Sequence, residues 1–200
     1  FESGIMGNSR LFPSFVGRTF LARCNLEPVN MLLPSIQLPT RELRARVLKG
    51  LGLQQREDEG RIRTLFVNRL AKRRIVNQDD VVAVLDAHGL NTTTTHFDKA
   101  TLARQAEQVS QATVLVGMHG AGMGNMFWLP PRATVIEVFP HNFSKSTYRV
   151  YAELLQLRYF GYENPFESLS FETKFTTPYP KGSYSYFRNQ DTAINITDFA

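Results

Sequence analysis

Between residues 61 and 162 two hydrophobic patterns take turns. Short runs that are apolar or β-branched occupy Arg61–Val67, Thr92–Phe97, Val114–Val116, Thr134–Phe139 and Leu157–Tyr162. Runs of this length, several with no polar face at all, predict strands buried on both sides of a parallel sheet. Between them the apolar residues recur at helical spacing. Val81, Val82, Val84 and Leu85 lie within Gln78–His88, Leu102, Ala103, Ala106 and Val109 precede Ser110, and Tyr148, Val150, Tyr151, Leu154 and Leu155 follow the fourth run. Asn77 is placed to cap the first of these helices and Gly89 to stop it. Strand and helix alternating in this way predict an α/β fold, a doubly wound parallel sheet with right-handed crossovers.

The flanks read differently. Thr40 is a good N-cap for a helix over Arg41–Leu51, with Leu43, Val47, Leu48 and Leu51 on one face and Gly50 and Gly52 closing it. The proline-interrupted stretch Asn25–Pro39 reads as a loop packed on a surface, and Gln54–Gly60 as a polar surface loop. From Asn164 onward Phe166, Phe171, Phe175, Tyr179, Tyr184, Tyr186 and Phe187 alternate with polar residues. Two readings fit such a tail: an extended arm laid over another domain, which is favoured, or loops that stack on sugars. The expected organisation is a lead-in with its helix (1–60), the doubly wound domain (61–163) and an aromatic-rich C-terminal arm (164–200).

Composition narrows the class. The chain has 200 residues, 42% of them hydrophobic and 12% aromatic, as suits a packed globular domain. A net charge of +5 is modest, and the basic triplet Lys72-Arg73-Arg74 stands far from the aromatic tail. Nucleic-acid binding is therefore not expected. Cys24 is the single cysteine, which excludes an intrachain disulfide and a cysteine-based zinc site. No apolar run approaches the roughly 20 residues of a membrane span. Three sequons, at Asn91, Asn142 and Asn195, are compatible with a secretory lumen. Opening on Phe1, the sequence reads as a fragment whose anchor or leader would lie upstream.

The chemistry concentrates where the third strand ends. Gly117, Gly120, Gly122 and Gly124 follow Val114–Val116, with His119 among them, and a short helix is expected through Met126 before Pro130 and Pro131 stop it. Glycines let a ligand approach the backbone, and the N–H groups that open the helix suit a diphosphate. The spacing G-x-G-x-x-G is not met, and a tight structural turn, with His119 holding it, fits the same residues. Glu137 ends the next strand, where an acid commonly accepts from ribose hydroxyls. Arg69 follows the first strand, and its planar guanidinium suits a phosphate, although an exposed basic loop fits that segment equally. There is no G-x-S-x-G elbow, which removes support for a hydrolase.

In their order these pieces resemble glycosyltransferase family 61. The residues that carry the resemblance are Gly4-Ile-Met-Gly7, Phe66-Val-Asn-Arg69, Arg73-Arg-Ile-Val-Asn77, Val116-Gly-Met-His-Gly-Ala-Gly122, Phe127-Trp-Leu-Pro130 and Ala133-Thr-Val-Ile-Glu-Val-Phe-Pro140. The resemblance covers about residues 1–162 and leaves the tail unmatched. It implies the C-terminal, donor-binding half of a GT-B enzyme built of two Rossmann-like halves. It implies inverting, metal-independent transfer of GlcNAc or xylose from a UDP-sugar, which is a substrate rather than a cofactor, to a glycan or glycoprotein hydroxyl in the ER or Golgi lumen. By the same resemblance Arg69, His119, Gly120, Ala121 and Gly122 hold the diphosphate, Glu137 holds the ribose, and Arg73 and Arg74 assist or structure the loop. The general base is unassigned and expected in the N-terminal half of the enzyme. The alternative is a non-catalytic carbohydrate- or nucleotide-binding scaffold that retains the fold.

Overall fold

The computed structural model describes residues 34–54 and 60–199. The Gly4–Gly7 segment, Cys24 and positions 25–33 lie outside the described residues. The predicted sheet is present. Strands β1 (Thr64–Asn68), β2 (Thr92–His96), β3 (Val114–Met118), β4 (Thr134–Phe139) and β5 (Arg158–Glu163) are all parallel, in the spatial order β2-β1-β3-β4-β5. β1, β3 and β4 are buried along their whole length, whereas β2 is Thr-rich, half exposed and at the edge. That follows from their side chains: a central strand must be apolar on both faces, and a polar edge discourages further pairing.

Helices cover both faces. On one, α2 (Gln78–Ala87) places Val81 and Leu85 against Phe66, Val114, Val116, Ile136 and Val138. On the other, α1 (Pro34–Gly50), α3 (Leu102–Ser110), a 3₁₀ segment (Ala121–Trp128) and α4 (Thr147–Leu154) enclose Leu65, Leu115 and Val135. The register aligns Gly117, Glu137 and Gly161 as neighbours across β3, β4 and β5. A carboxylate in the middle of the sheet is thereby flanked by two residues that have no side chain.

Four expectations change, the last being the side-chain cap expected of Asn77. Helix α1 begins at Pro34 rather than after Thr40, so Thr40 is interior and does not cap it. Proline is well tolerated at a first helical position, because the N–H it lacks there would have no partner anyway. The helix expected through Met126 is instead 3₁₀ and runs to Trp128. Its buried residues Met123 and Met126, with Leu129 at its C-cap, recur every three positions, the period of a 3₁₀ helix, so they share one face. Arg44 of α1, itself buried, donates to the Leu129 carbonyl at 2.8 Å and ties the two elements together.

The third change concerns the tail, expected as an extended arm laid over another domain, which packs in part on its own sheet. After β5 the chain turns through β6 (Ser170–Phe171), α5 (Tyr184–Arg188) and β7 (Asp191–Thr192), and β6 pairs with β7 antiparallel. Ile194 is 2% exposed and packs into the cluster of Phe66, Ile75, Leu85 and Tyr162. The sheet face covered by α2 thus gains further apolar cover from the tail. Asn77 does not cap α2 with its side chain. It donates to the Ile194 carbonyl at 2.8 Å and accepts from the Ile194 N–H at 2.9 Å.

Candidate donor-binding site

In the strand order β2-β1-β3-β4-β5 the crossovers change direction between β1 and β3, and crevices at the carboxyl ends of such strands hold ligands. A crevice of about 250 Å³ opens there. Arg69 follows β1, Phe97 and Asp98 follow β2, and Ala121 and Gly122 follow β3, all lining it.

Asn68 sets the loop that carries the arginines. Its side chain accepts from the backbone N–H groups of Arg69 (2.8 Å) and Ile75 (3.0 Å) and donates to the Ile75 carbonyl (2.9 Å) and to Gln78 (2.9 Å). One buried amide thus closes the loop from 69 to 75. Within it Arg73 takes φ 56°, a left-handed conformation that costs a non-glycine residue roughly 1–2 kcal/mol. Arg73 donates from Nη1 to the His119 carbonyl at 3.2 Å. Arg69 and Arg73 both converge on Gly120: a Cβ there would lie 2.5 Å from Arg69 Nη1 and 3.2 Å from Arg73 Nη1. Gly120 also has φ 156°, which disfavours any side chain. The Gly120→Ala variant is expected to expel the Arg69 guanidinium. A charge-assisted contact worth about 1.5–3 kcal/mol goes with it, so anion affinity should fall at least about tenfold. Pyrophosphate titration beside a thermal melt checks this, and unchanged affinity would show that Arg69 does not bind the anion.

His119 stands beneath these arginines. Its Nδ1 lies 2.6 Å from Glu137 Oε1, and the Tyr159 hydroxyl donates to Glu137 Oε2 at 2.5 Å. A carboxylate only accepts, so Nδ1 carries the proton and Nε2 is the ring's acceptor nitrogen. Phe139, Phe143 and Tyr148 surround the imidazole, with ring centroids 5.2–5.4 Å away. Gly161 lets Tyr159 reach the acid, since a Cβ at Gly161 would come within 3.3 Å of the Tyr159 hydroxyl oxygen.

Glu137 does not face the crevice. It is 0% exposed and both its oxygens hold protein donors. The ribose contact expected of it is therefore not supported, and its geometry is that of a group orienting His119. Arg74 also departs from the phosphate set. Its backbone N–H and Nε donate to Asp191 at 2.8 and 2.7 Å, and Nη2 lies 2.7 Å from the same carboxylate, which is 1% exposed. Arg74 structures the loop and fastens the tail.

Charge in the site is unbalanced. Burial first, then repulsion from Arg69 and Arg188, lowers the Arg73 guanidinium to about 10. Lys72 is lowered too, by burial and then by Arg73, Arg69 and Arg188. Burial and Glu137 raise the Tyr148 hydroxyl, against the opposing pull of Arg73 and Arg69. Among the described residues no acid forms an ion pair with Arg69, Arg73 or Arg188. Sequence reasoning missed the charge of Arg188 beside Arg73, the Tyr159 hydroxyl on Glu137 and the stapling role of Asn68. Tyr159 was within reach, because it shares a strand face with Gly161, the register neighbour of Glu137. Arg188 had no local signal.

A glycine turn against paired arginines at the switch point is a general anion site. The family comparison is more specific: the Glycosyltransferase 61 model matches residues 15–136, more than half of the chain. The chain belongs to glycosyltransferase family 61. Over 165 residues it is 26% identical to a β-1,2-xylosyltransferase of Oryza sativa subsp. japonica, covering 74% of the chain and 35% of that protein. An α-1,3-arabinosyltransferase of the same plant is 28% identical over 64% of the chain and 22% of its own length. The protein O-linked-mannose β-1,4-N-acetylglucosaminyltransferase 2 of Homo sapiens is 33% identical over 46% of the chain and 16% of its own length. The chain thus spans about a third or less of these relatives. The family 61 match includes Arg69, Arg73 and the whole glycine turn but ends at Ile136, one residue before Glu137. Among the described residues no helix is long and apolar enough to cross a membrane.

Proposed function

We propose that the chain is the donor-binding half of an inverting glycosyltransferase of GT-B organisation, taking a UDP-sugar and passing the sugar to a glycan or glycoprotein hydroxyl. The observation that carries this reading is the convergence of Arg69 and Arg73 on Gly120 with no acid among the described residues paired to either, in a chain of this family. The departing diphosphate develops negative charge, and preorganised cations that need no reorganisation stabilise it. Two guanidiniums supply the charge that a divalent ion supplies in other transferases, so transfer proceeds without a metal. His119, held by Glu137, stands beneath the two guanidiniums. The switch-point crevice takes the nucleoside, and Asp98 on its wall replaces Glu137 as the candidate for the ribose hydroxyls. The base that deprotonates the acceptor comes from the N-terminal half. The xylosyl, arabinosyl and GlcNAc transferases among the relatives support a pentose or GlcNAc donor. The secretory lumen is the proposed compartment, supported by exposed sequon asparagines at Asn91 and Asn142.

Calorimetric titration of UDP into the full-length protein with EDTA present tests this. Binding should persist without metal and weaken about ten- to a hundredfold in Arg69→Ala, the loss of one charge-assisted contact. UDP binding without turnover of any UDP-sugar would favour the scaffold reading. No binding of UDP would remove the donor role itself.

A further inference from the structure

We propose that the C-terminal segment is a wall of the donor site and that Arg188, at the end of α5, is the third cation on the diphosphate. The proposal rests on the donor-half reading and adds a residue from a part of the chain that the family resemblance leaves unmatched.

Two independent tethers bring α5 to the site. On one side Tyr184, its first residue, packs on Phe143 with centroids 5.0 Å apart, and Phe143 packs on His119 at 5.2 Å. On the other, Asp191 lies three residues beyond Arg188 and binds the Arg74 backbone and guanidinium, immediately after Arg73. Thr192 extends this second tether, accepting from Val76 N–H and donating its own N–H to the Arg74 carbonyl, each at 2.9 Å. Helix α5 is thereby held between the His119 aromatic cage and the arginine loop.

Arg188 Nε is buried with no hydrogen-bond partner among the described residues, and so is Arg73 Nε. Arg149 Nε is unmet as well among the described residues, but Arg73 and Arg188 are the two that feel each other's charge, and an anion between them would satisfy both donors. Lys72 and Arg73 both feel the Arg188 charge, as they feel that of Arg69. Folding brings these like charges together at a cost, which a diphosphate would relieve. The tail is therefore more than an apolar cover, since its docking adds a third positive charge to the cluster.

The test is UDP, pyrophosphate and uridine titration into the full-length protein, for wild type, Arg188→Ala, Arg188→Lys and Arg69→Ala, each with a thermal melt. Arg188→Ala should bind UDP and pyrophosphate about ten- to a hundredfold more weakly while uridine affinity and the melt without ligand are kept. Arg188→Lys should fall between, since it keeps the charge but not the planar fork. If Arg188→Ala binds UDP like wild type while Arg69→Ala does not, the third-cation role is overturned and the donor reading stands. If wild type binds neither UDP nor pyrophosphate, the donor reading falls and this inference with it. If Arg188→Ala loses uridine as well and melts early, Arg188 holds the tail and not the ligand, which also overturns it.

Discussion

Glu137→Ala is expected to lower stability by about 3 kcal/mol and to cut sugar transfer by the full-length protein about ten- to a hundredfold. The stability term arises because the carboxylate is fully buried and receives two donors, His119 Nδ1–H and the Tyr159 hydroxyl. Removing it leaves both unsatisfied, at about 1–3 kcal/mol each, and opens a small cavity at the centre of the sheet. For a chain of this size about 3 kcal/mol lowers the melting temperature by roughly 6–12 °C. The activity term arises because the ring loses the group that fixes which nitrogen is protonated, and for metal-bound histidines the loss of such a carboxylate costs about ten- to a hundredfold. Glu137→Gln separates the two effects. The amide keeps the volume and can still accept from Tyr159, but its NH₂ then faces Nδ1 and favours the proton on Nε2. Stability should largely return while activity does not, and nitrogen NMR of the imidazole should show the tautomer exchange. A ribose-holding Glu137 would behave differently. Glu137→Ala would then leave the melt unchanged and selectively weaken uridine binding, an outcome that would overturn the orienting role.

Glu137 also shows where sequence reading reaches its limit. The strand Thr134–Phe139 and the acid near its end were legible, because hydrophobic runs bounded by glycine and proline specify buried strands locally. Whether that acid faces the crevice or the sheet interior is set by its register against β3 and β5, which is non-local. The neighbours Gly117 and Gly161 leave room beside Glu137, and Tyr159 uses it. Arg69 and His119 were legible as a pair because each follows a parallel strand, and adjacent parallel strands bring their carboxyl ends together. Arg74, although next to Arg73, was not separable from it: their opposite fates depend on Asp191, more than a hundred residues away.

The packing of the tail on its own sheet was not legible for a related reason. The tail's alternation of aromatic and polar residues fits any extended segment and does not say what the apolar side meets. What decides it is that, among the described residues, α2 covers one sheet face only in part and leaves Phe66 and Tyr162 room for Ile194. The 3₁₀ segment is the converse case, since the three-residue spacing of Met123, Met126 and Leu129 was present in the sequence but overlaps the i, i+3 positions of an α-helix.

The second large expected effect is that Arg73→Gln nearly abolishes the stabilisation given by pyrophosphate while leaving the ligand-free protein as stable as wild type or more so. Arg73 titrates near 10, below its ordinary value, because burial and the charges of Arg69 and Arg188 disfavour its protonated form. The sign follows from that depression. A base whose folded value lies below its unfolded one destabilises the fold throughout the range in which it is charged in both states, which includes neutral pH, and the cost is relieved as pH rises past about 10. Glutamine removes the charge at every pH; its shorter side chain gives up the 3.2 Å bond from Nη1 to the His119 carbonyl, and relief of burial and repulsion offsets that loss, so the apo fold should not lose stability. The ligand tells the opposite story. At a pyrophosphate concentration a hundred times the wild-type dissociation constant, binding stabilises the fold by about 2.7 kcal/mol. A hundredfold loss of affinity on removing Arg73 would reduce this, at the same concentration, to about 0.4 kcal/mol. Added salt should act in the same two directions on wild type, screening the repulsion among the arginines and weakening the anion. A melting series with and without pyrophosphate reads both effects at once. If Arg73→Gln keeps the full ligand-induced shift, the arginine cluster is not where the diphosphate binds. If its ligand-free melt falls well below wild type, Arg73 is held there for the fold and its charge is not what the site was built to present.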